Sequence, residues 1–148
     1  MKLLFATPCQ MVIQDAENQI GHTLIAVFHD FGVIVPAEAE VPPNALLPKE
    51  WAIFSKWQLT SPDEADQTYK LLLEVFWPDG SLLVKQDTIV SVTKKDVMAF
   101  ITRNNGFPMG QNGIVRIVMS LYVGDKLAHD PVTLEVRVTV TKGLPTSQ

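Results

Sequence analysis

Alternation of hydrophobic and polar residues is the dominant pattern along the chain, and it predicts β-strands. The clearest run spans 132–140, where valine and leucine alternate with threonine, glutamate and arginine. Because successive side chains of a strand point to opposite faces, this run predicts a strand buried on one side. A similar run covers 114–123, and a Gly-Asp-Lys turn signal at 124–126 follows it. Residues 114–141 are therefore predicted to form a hairpin-like unit, with a short extra strand near 126–129.

A second hairpin is predicted around the Pro-Asp-Gly sequence at 78–80, which lies between the apolar runs 68–77 and 81–92. Proline fixes one dihedral angle of a turn, and glycine permits the positive φ at its end. The first arm is apolar on both of its faces. Such a strand is either central between two packed layers or part of an interface.

The remaining strands are less sharply bounded, at about 2–13, 20–35 and 51–60. Four prolines make 36–48 a connection, because proline cannot donate a hydrogen bond to a central ladder. About seven short strands separated by turn signals predict an all-β fold, an antiparallel β-sandwich of the immunoglobulin-like or a related type.

One short helix is predicted at about 94–103. The sequence Thr-Lys-Lys-Asp at 93–96 resembles a helix-capping box, with aspartate in place of glutamate. Val97, Phe100 and Ile101 then share one helical face, and an Asn-Asn-Gly sequence provides a stop signal.

Length and composition indicate one folded domain over 1–142, with a frayed tail at 143–148. The chain has 148 residues, of which 47% are hydrophobic and 19% charged, which argues against disorder. The formal net charge is −4. Residues 1–66 carry three basic and nine acidic side chains, and residues 67–148 carry nine and seven. Nucleic-acid binding needs a basic face, so no nucleic-acid partner is predicted.

The sequence predicts neither a membrane span nor an exported protein. No apolar stretch approaches the roughly 20 residues of a membrane helix, and the apolar segment 3–6 is far shorter than a signal sequence requires. The chain has one cysteine, Cys9, which cannot form an internal disulfide and is predicted to be a buried thiol. We therefore expect a cytoplasmic protein.

Catalytic motifs are not recognised, and no cofactor or metal is predicted. Two of the three histidines stand in His-Asp pairs, as His29 with Asp30 and His129 with Asp130. Neighbouring side chains in a strand diverge to opposite faces, so neither pair can chelate a metal from a regular strand. The chain also lacks a Gly-x-Ser-x-Gly elbow and a phosphate-binding loop. A hydrolase that uses His29 or His129 is the weakest of three functional hypotheses.

Two groups of residues are candidates for binding. Trp51 and Trp57 share strand parity and could stack on a ligand such as a carbohydrate, although core packing is the alternative for both. The segment 104–113 contains three glycines and one proline and is predicted to be a loop. It carries Phe107 and Met109, which are costly to expose, so it is a possible interaction loop. The alternative is that Phe107 plugs one end of the sandwich.

Three short segments resemble a family of small uncharacterised bacterial proteins that carry a domain of unknown function. These segments are Phe-Ala-x-x-Cys at 5–9, Leu-Ile-Ala-Val-Phe at 24–28 and Pro-Asp-Gly at 78–80. The resemblance implies a β-sandwich fold and a bacterial cytoplasmic origin. It implies no catalytic residue, because the family has no assigned activity.

The sequence thus favours a non-enzymatic binding or assembly module that acts through a protein partner or self-association. It would present end loops, or pair its sheets or edges with another copy. A small-molecule-binding sandwich, possibly for carbohydrate, is the alternative function.

Overall fold

The computed structural model describes residues 1–14, 22–92 and 97–144. Its regular structure consists of β-strands and one 3₁₀ turn, Pro62–Glu64, which confirms the predicted all-β class. Among the described residues, no helix has the length and hydrophobicity that spanning a membrane requires. The strands are β1 Lys2–Gln14, β2 His22–Val27, β3 Asp30–Val35, β4 Leu46–Gln58, β5 Thr68–Phe76, β6 Leu82–Ser91, β7 Val97–Pro108, β8 Gly113–Val123, β9 Lys126–Leu127 and β10 Val132–Lys142.

Two sheets form the sandwich. The four-stranded sheet has the order β2-β1-β4-β7, and the six-stranded sheet has the order β3-β10-β8-β5-β6, with β9 paired to β8. β4 and β7 pair in one sheet, while the strands that follow them, β5 and β8, pair in the other. The chain therefore crosses repeatedly between layers, as the B–E and C–F–G strands of an immunoglobulin-type sandwich do.

The sheets are not purely antiparallel, and this corrects the predicted arrangement. β3 pairs in parallel with the last strand, β10. The predicted strand 20–35 is in fact two strands, because the chain leaves the four-stranded sheet after Val27 and enters the six-stranded sheet at Asp30. A change of sheet after so few residues brings β3 alongside β10 in the same direction.

The core between the sheets follows from the period-two pattern of the sequence. Alternate residues of β5 are buried, and they lie beside the buried residues of β8 in the same sheet. The opposite wall comes from β4 and β7. The larger residues that face the core are Trp51, Ile53, Trp57, Tyr69, Leu71, Leu73, Met98, Phe100, Phe107, Ile117, Met119 and Leu121.

Both predicted hairpins are confirmed. β5 and β6 pair around the turn at 78–80, and Gly80 has the positive φ of 88° that this turn requires. β8 and β10 pair over 113–119 and 132–138, and β9 is the predicted short extra strand. These predictions succeeded because turn chemistry and alternation are both local signals.

The predicted helix at 94–103 is wrong over 97–103, which belong to β7, and 94–96 lie outside the described residues. Met98 and Phe100 point into the core, while Val97, Ala99 and Ile101 are half-buried on the other face. When a strand is apolar on both faces, some of its apolar residues are also three or four positions apart, which is the spacing of one face of a helix. The tertiary environment on each side decides between the two structures.

Candidate interaction surface

The two tryptophans offered as ligand-stacking residues are buried. Trp51 is 2% exposed and Trp57 is 0% exposed. Each indole N–H has a partner inside the protein, since Trp51 Nε1 donates to the Gly106 carbonyl at 3.1 Å and Trp57 Nε1 to Ser55 Oγ at 3.0 Å. Neither ring has a face free for a sugar, so the burial contradicts the proposed stacking role. Their large volumes fill the space between the sheets.

Phe107 is a core residue and not the tip of an interaction loop. β7 continues to Pro108, so the connection to β8 is only 109–112. Phe107 is fully buried, and its ring centroid lies 4.2 Å from that of Phe31, 5.4 Å from Trp51 and 5.5 Å from Phe28. Phe107 therefore fills the space between the sheets, as the alternative to the interaction loop predicts.

Met109 is half-buried at the start of that short connection, and its backbone N–H donates to the Ala45 carbonyl at 3.0 Å. Its main chain is therefore tied to the connection that precedes β4. The pair predicted as a binding loop does not form a shared exposed surface, because Phe107 points between the sheets.

The histidines of the two His-Asp pairs lie apart from any described carboxylate cluster. His29 is exposed, and its backbone carbonyl accepts a hydrogen bond from the Arg137 N–H. His129 Nδ1 lies 2.7 Å from the Asp130 carbonyl oxygen, and its ring stands edge-on to Trp57. The described residues contain no group of three or more histidine, cysteine, aspartate or glutamate side chains that could hold a metal.

A second apolar cluster covers the outer face of the four-stranded sheet. Cys9, Val12, Ala52 and Phe54 are buried there, although this face points away from the main core. Burial raises the pKa of the Cys9 thiol, which keeps it protonated and unreactive at neutral pH. Something must exclude water from this face, and the β1–β2 hairpin does so.

The position of His22 shows how the hairpin covers this face. Thr7 of β1 pairs with Phe54, whereas His22 pairs with Gln14, seven residues further along β1. In a straight strand this offset would separate His22 from Phe54 by about 23 Å. The ring centroids of His22 and Phe54 are only 4.9 Å apart. The hairpin is therefore bent back over the sheet and forms a partial third layer.

The bend lies where the ladder between β1 and β2 skips one pair, Gln10 opposite Ala26. Ala26 has a φ of 52°, in the left-handed region that disfavours residues with a Cβ atom. Beyond the bend, Val12 and Leu24 turn inward onto the second cluster. One sign of this layer is visible in the sequence, because 11–13 and 24–27 are apolar at successive positions and not at alternate ones.

The outer row of the bent hairpin remains apolar. Its residues are between 41% and 50% exposed. They are Met11, Ile13 and Ile25.

One end of the sandwich is held together by polar contacts among its loops. Gln111 joins two of them, because its side chain accepts from the Asp79 N–H and donates to both Asp79 Oδ2 and the Pro43 carbonyl. Hydrogen bonds from the side chain and backbone of Ser81, and from Gln111, lower the pKa of Asp79. Gly110 fits closely here, because a Cβ atom would lie 2.4 Å from the Pro42 carbonyl oxygen. These contacts hold the loops at this end of the sandwich together.

β6 forms an open edge of the six-stranded sheet. It pairs with β5, and no described strand pairs with its other side. The N–H of Val92, just beyond the strand, donates to the Gln67 carbonyl. Hydrogen-bonded pairs alternate along an antiparallel ladder, so the even-numbered residues of β6 bond to β5. The odd-numbered residues Lys85, Asp87 and Ile89 therefore direct their N–H and C=O groups towards the open side.

The side chains of these odd-numbered residues are also exposed. Lys85 Nζ lies 3.3 Å from Glu74 Oε1 on β5, and Ile89 is 66% exposed. From Val84 to Val90 the even-numbered side chains face inward, and Gln86 Nε2 donates to Asn104 Oδ1 at 3.1 Å. This hydrogen bond connects β6 to β7 across the gap between the two sheets and holds the open edge in place.

No model of a known protein family matches the chain, and no curated protein matches it significantly. The resemblance to small bacterial proteins of unknown function therefore stays a prediction. The description of a functional surface depends on the geometry alone.

Proposed function

We propose that the chain is a non-enzymatic assembly module that associates with a second copy of itself. The observation that carries this function is the open edge of β6, a strand of ten residues that pairs with β5 on one side and with no described strand on the other. An exposed strand of this length is a template for pairing with another chain.

The outward surface of β6 adds to the argument. Monomeric proteins commonly protect open edges with a proline, a bulge, charged side chains or a covering segment. β6 contains no proline, and its one register irregularity is at its start, near Leu82. Its exposed side carries the hydrophobic residues Leu82 and Ile89 and one charge of each sign, Lys85 and Asp87. Because these two charges have opposite signs, a second copy that approaches this edge can pair with them.

In this proposal the protein acts in the cytoplasm of a bacterium and performs no chemistry of its own. A free, buried thiol with no disulfide partner fits a reducing compartment. In the assembly, two sandwiches would be joined edge to edge through their six-stranded sheets.

The experiment is a measurement of molar mass by size-exclusion chromatography with light scattering over a wide range of protein concentrations. We expect the mass to rise from that of the 16.4 kDa chain to twice that value as the concentration increases. A chain that stays monomeric at all concentrations up to about 1 mM, a range that includes weak complexes, would refute the proposed function.

A further inference from the structure

We infer that two copies pair antiparallel through β6 in one register, with Gln86 opposite Gln86 of the second copy and Lys85 opposite its Asp87. The inference rests on the proposed function, and it specifies the surface and the contacts that function would use. It starts from the three residues Lys85, Asp87 and Ile89, whose backbone groups point to the open side.

A symmetric pair restricts the possible registers. In a twofold dimer, residue i of one copy faces residue j of the other and j faces i, so the sum of the two residue numbers is constant. Hydrogen bonds need residues with outward groups on both copies, and these are the odd-numbered residues of β6. The sum is therefore even, and adjacent allowed registers differ by two.

Charge distinguishes the central registers from one another. If Lys85 faced Lys85, or Asp87 faced Asp87, like charges would lie directly opposite at the twofold axis, which is unfavourable. In the register between these two, Lys85 faces Asp87 twice. The two neighbouring outward positions of one strand thus form a self-complementary pattern.

The remaining contacts fit the same register. The paired segment would end where Ile89 reaches the backbone of Leu83 of the second copy, at the position where the β5–β6 ladder shifts register. Gln86 would lie on the twofold axis, and its side chain already points inward to Asn104 and leaves the axis clear. Lys85 would contact Glu74 of its own chain and Asp87 of the other, so each lysine would join a three-residue network.

The backbone and the side chains have separate roles in this interface. Main-chain hydrogen bonds between the two edges provide the affinity, as in other cases of strand addition. The charges select the register and exclude its neighbours. The result would be one continuous sheet that runs through both sandwiches.

The experiment uses two charge variants of the full chain, each examined alone and then mixed. In Lys85→Asp, two aspartates face each other across the pair, and in Asp87→Lys two lysines do. Each variant alone should associate at least about tenfold more weakly than the wild type, since charge repulsion acts twice per dimer. In an equimolar mixture, every aspartate at one position faces a lysine at the other. The mixture should therefore form heterodimers with wild-type affinity.

The matched control is Glu38→Lys, which makes the same change of charge as Asp87→Lys but at an exposed residue outside the described strands. It should dimerise as the wild type does. Recovery in the mixture also shows that both variants fold, since an unfolded chain would not associate specifically.

A cysteine cross-link tests the register directly. Gln86 would be a non-hydrogen-bonded pair on the axis, with Cα atoms about 4.5 Å apart, which is within the range of a disulfide. Gln86→Cys should form a covalent dimer under mild oxidation, with Cys9 protected by its burial. Thr88→Cys should not, because two residues at that position would be about 13 Å apart.

The outcomes separate the inference from the proposed function. A wild-type dimer that tolerates both charge variants, or variants that do not recover when mixed, would overturn the β6 pairing and leave self-association intact. A wild-type chain that is monomeric throughout would overturn both. Dimerisation with mutual rescue and selective cross-linking at position 86 would support the register.

Discussion

The deletion of the Phe107 side chain is the sharpest test of how this sandwich is packed. Phe107 is fully buried and touches the rings of Phe28, Phe31 and Trp51. Replacement of a buried phenylalanine by alanine removes its transfer free energy and leaves a cavity, and together these cost about 3–5 kcal/mol. With three ring contacts and no exposure, we expect a value near the middle of that range, about 4 kcal/mol.

Urea denaturation followed by tryptophan fluorescence measures this loss, and Trp51 is a local reporter. For a domain of this size, about 4 kcal/mol also corresponds to a decrease in Tm of roughly 8–16 °C. Phe107→Leu keeps most of the volume and should cost about half as much. The control is Met109→Ala, two residues away and half-buried, which should cost less than about 1 kcal/mol. A loss below about 1 kcal/mol for Phe107→Ala would refute the core assignment.

Three further predictions concern the bent hairpin and the loops. Because Ala26 has a positive φ, Ala26→Gly should leave the free energy of unfolding unchanged or raise it by up to about 1 kcal/mol. The control Ala99→Gly, in the regular strand β7, should lower the free energy of unfolding by about 0.5–1 kcal/mol. Chemical denaturation of both variants measures the sign of each change. Phe54→Ala should speed the labelling of Cys9 by a thiol reagent under native conditions, because it removes the residue onto which the hairpin folds; an unchanged rate would argue against the hairpin as the cover. The lowered pKa of Asp79 means that its stabilising contribution is present above about pH 4 and is lost as the pH falls through the folded-state pKa. The Tm values of the wild type and Asp79→Ala should therefore differ at pH 7 and converge in acid, and a gap that widened in acid would contradict this sign.

Signals that span only a few residues predicted most of the fold. The turn at 78–80 and the alternation over 132–140 fixed both hairpins, since each depends on local dihedral angles and side-chain parity. The predicted helix failed over 97–103 because a strand that is apolar on both faces also places apolar residues at helical spacing. The outer face of β7 joins the same apolar cluster as the bent β1–β2 hairpin, which is distant in sequence.

The candidate surface was less predictable than the fold. Trp51 and Trp57 share parity on one strand, but parity alone does not say whether that face points to solvent or to the core. The surrounding glycines predict a loop at Phe107, although Gly106, with its φ of 82°, lies within β7. The open edge of β6 depends on the order of strands across the sheet. Strand order is set by the packing of the whole chain and has no local signature.

The parallel pairing of β3 with β10 has a mechanical consequence. Six residue pairs join Asp30–Val35 to Arg137–Lys142, with both strands running in the same direction. The chain before β3 leaves from one end of this patch, and the chain after β10 leaves from the other. Tension applied between those two segments therefore shears the two strands along their length and loads all of their inter-strand hydrogen bonds at once. A force that peeled β6 away from β5 would instead break the hydrogen bonds between them one at a time. The direction of the applied force would therefore decide how strongly this protein resists unfolding.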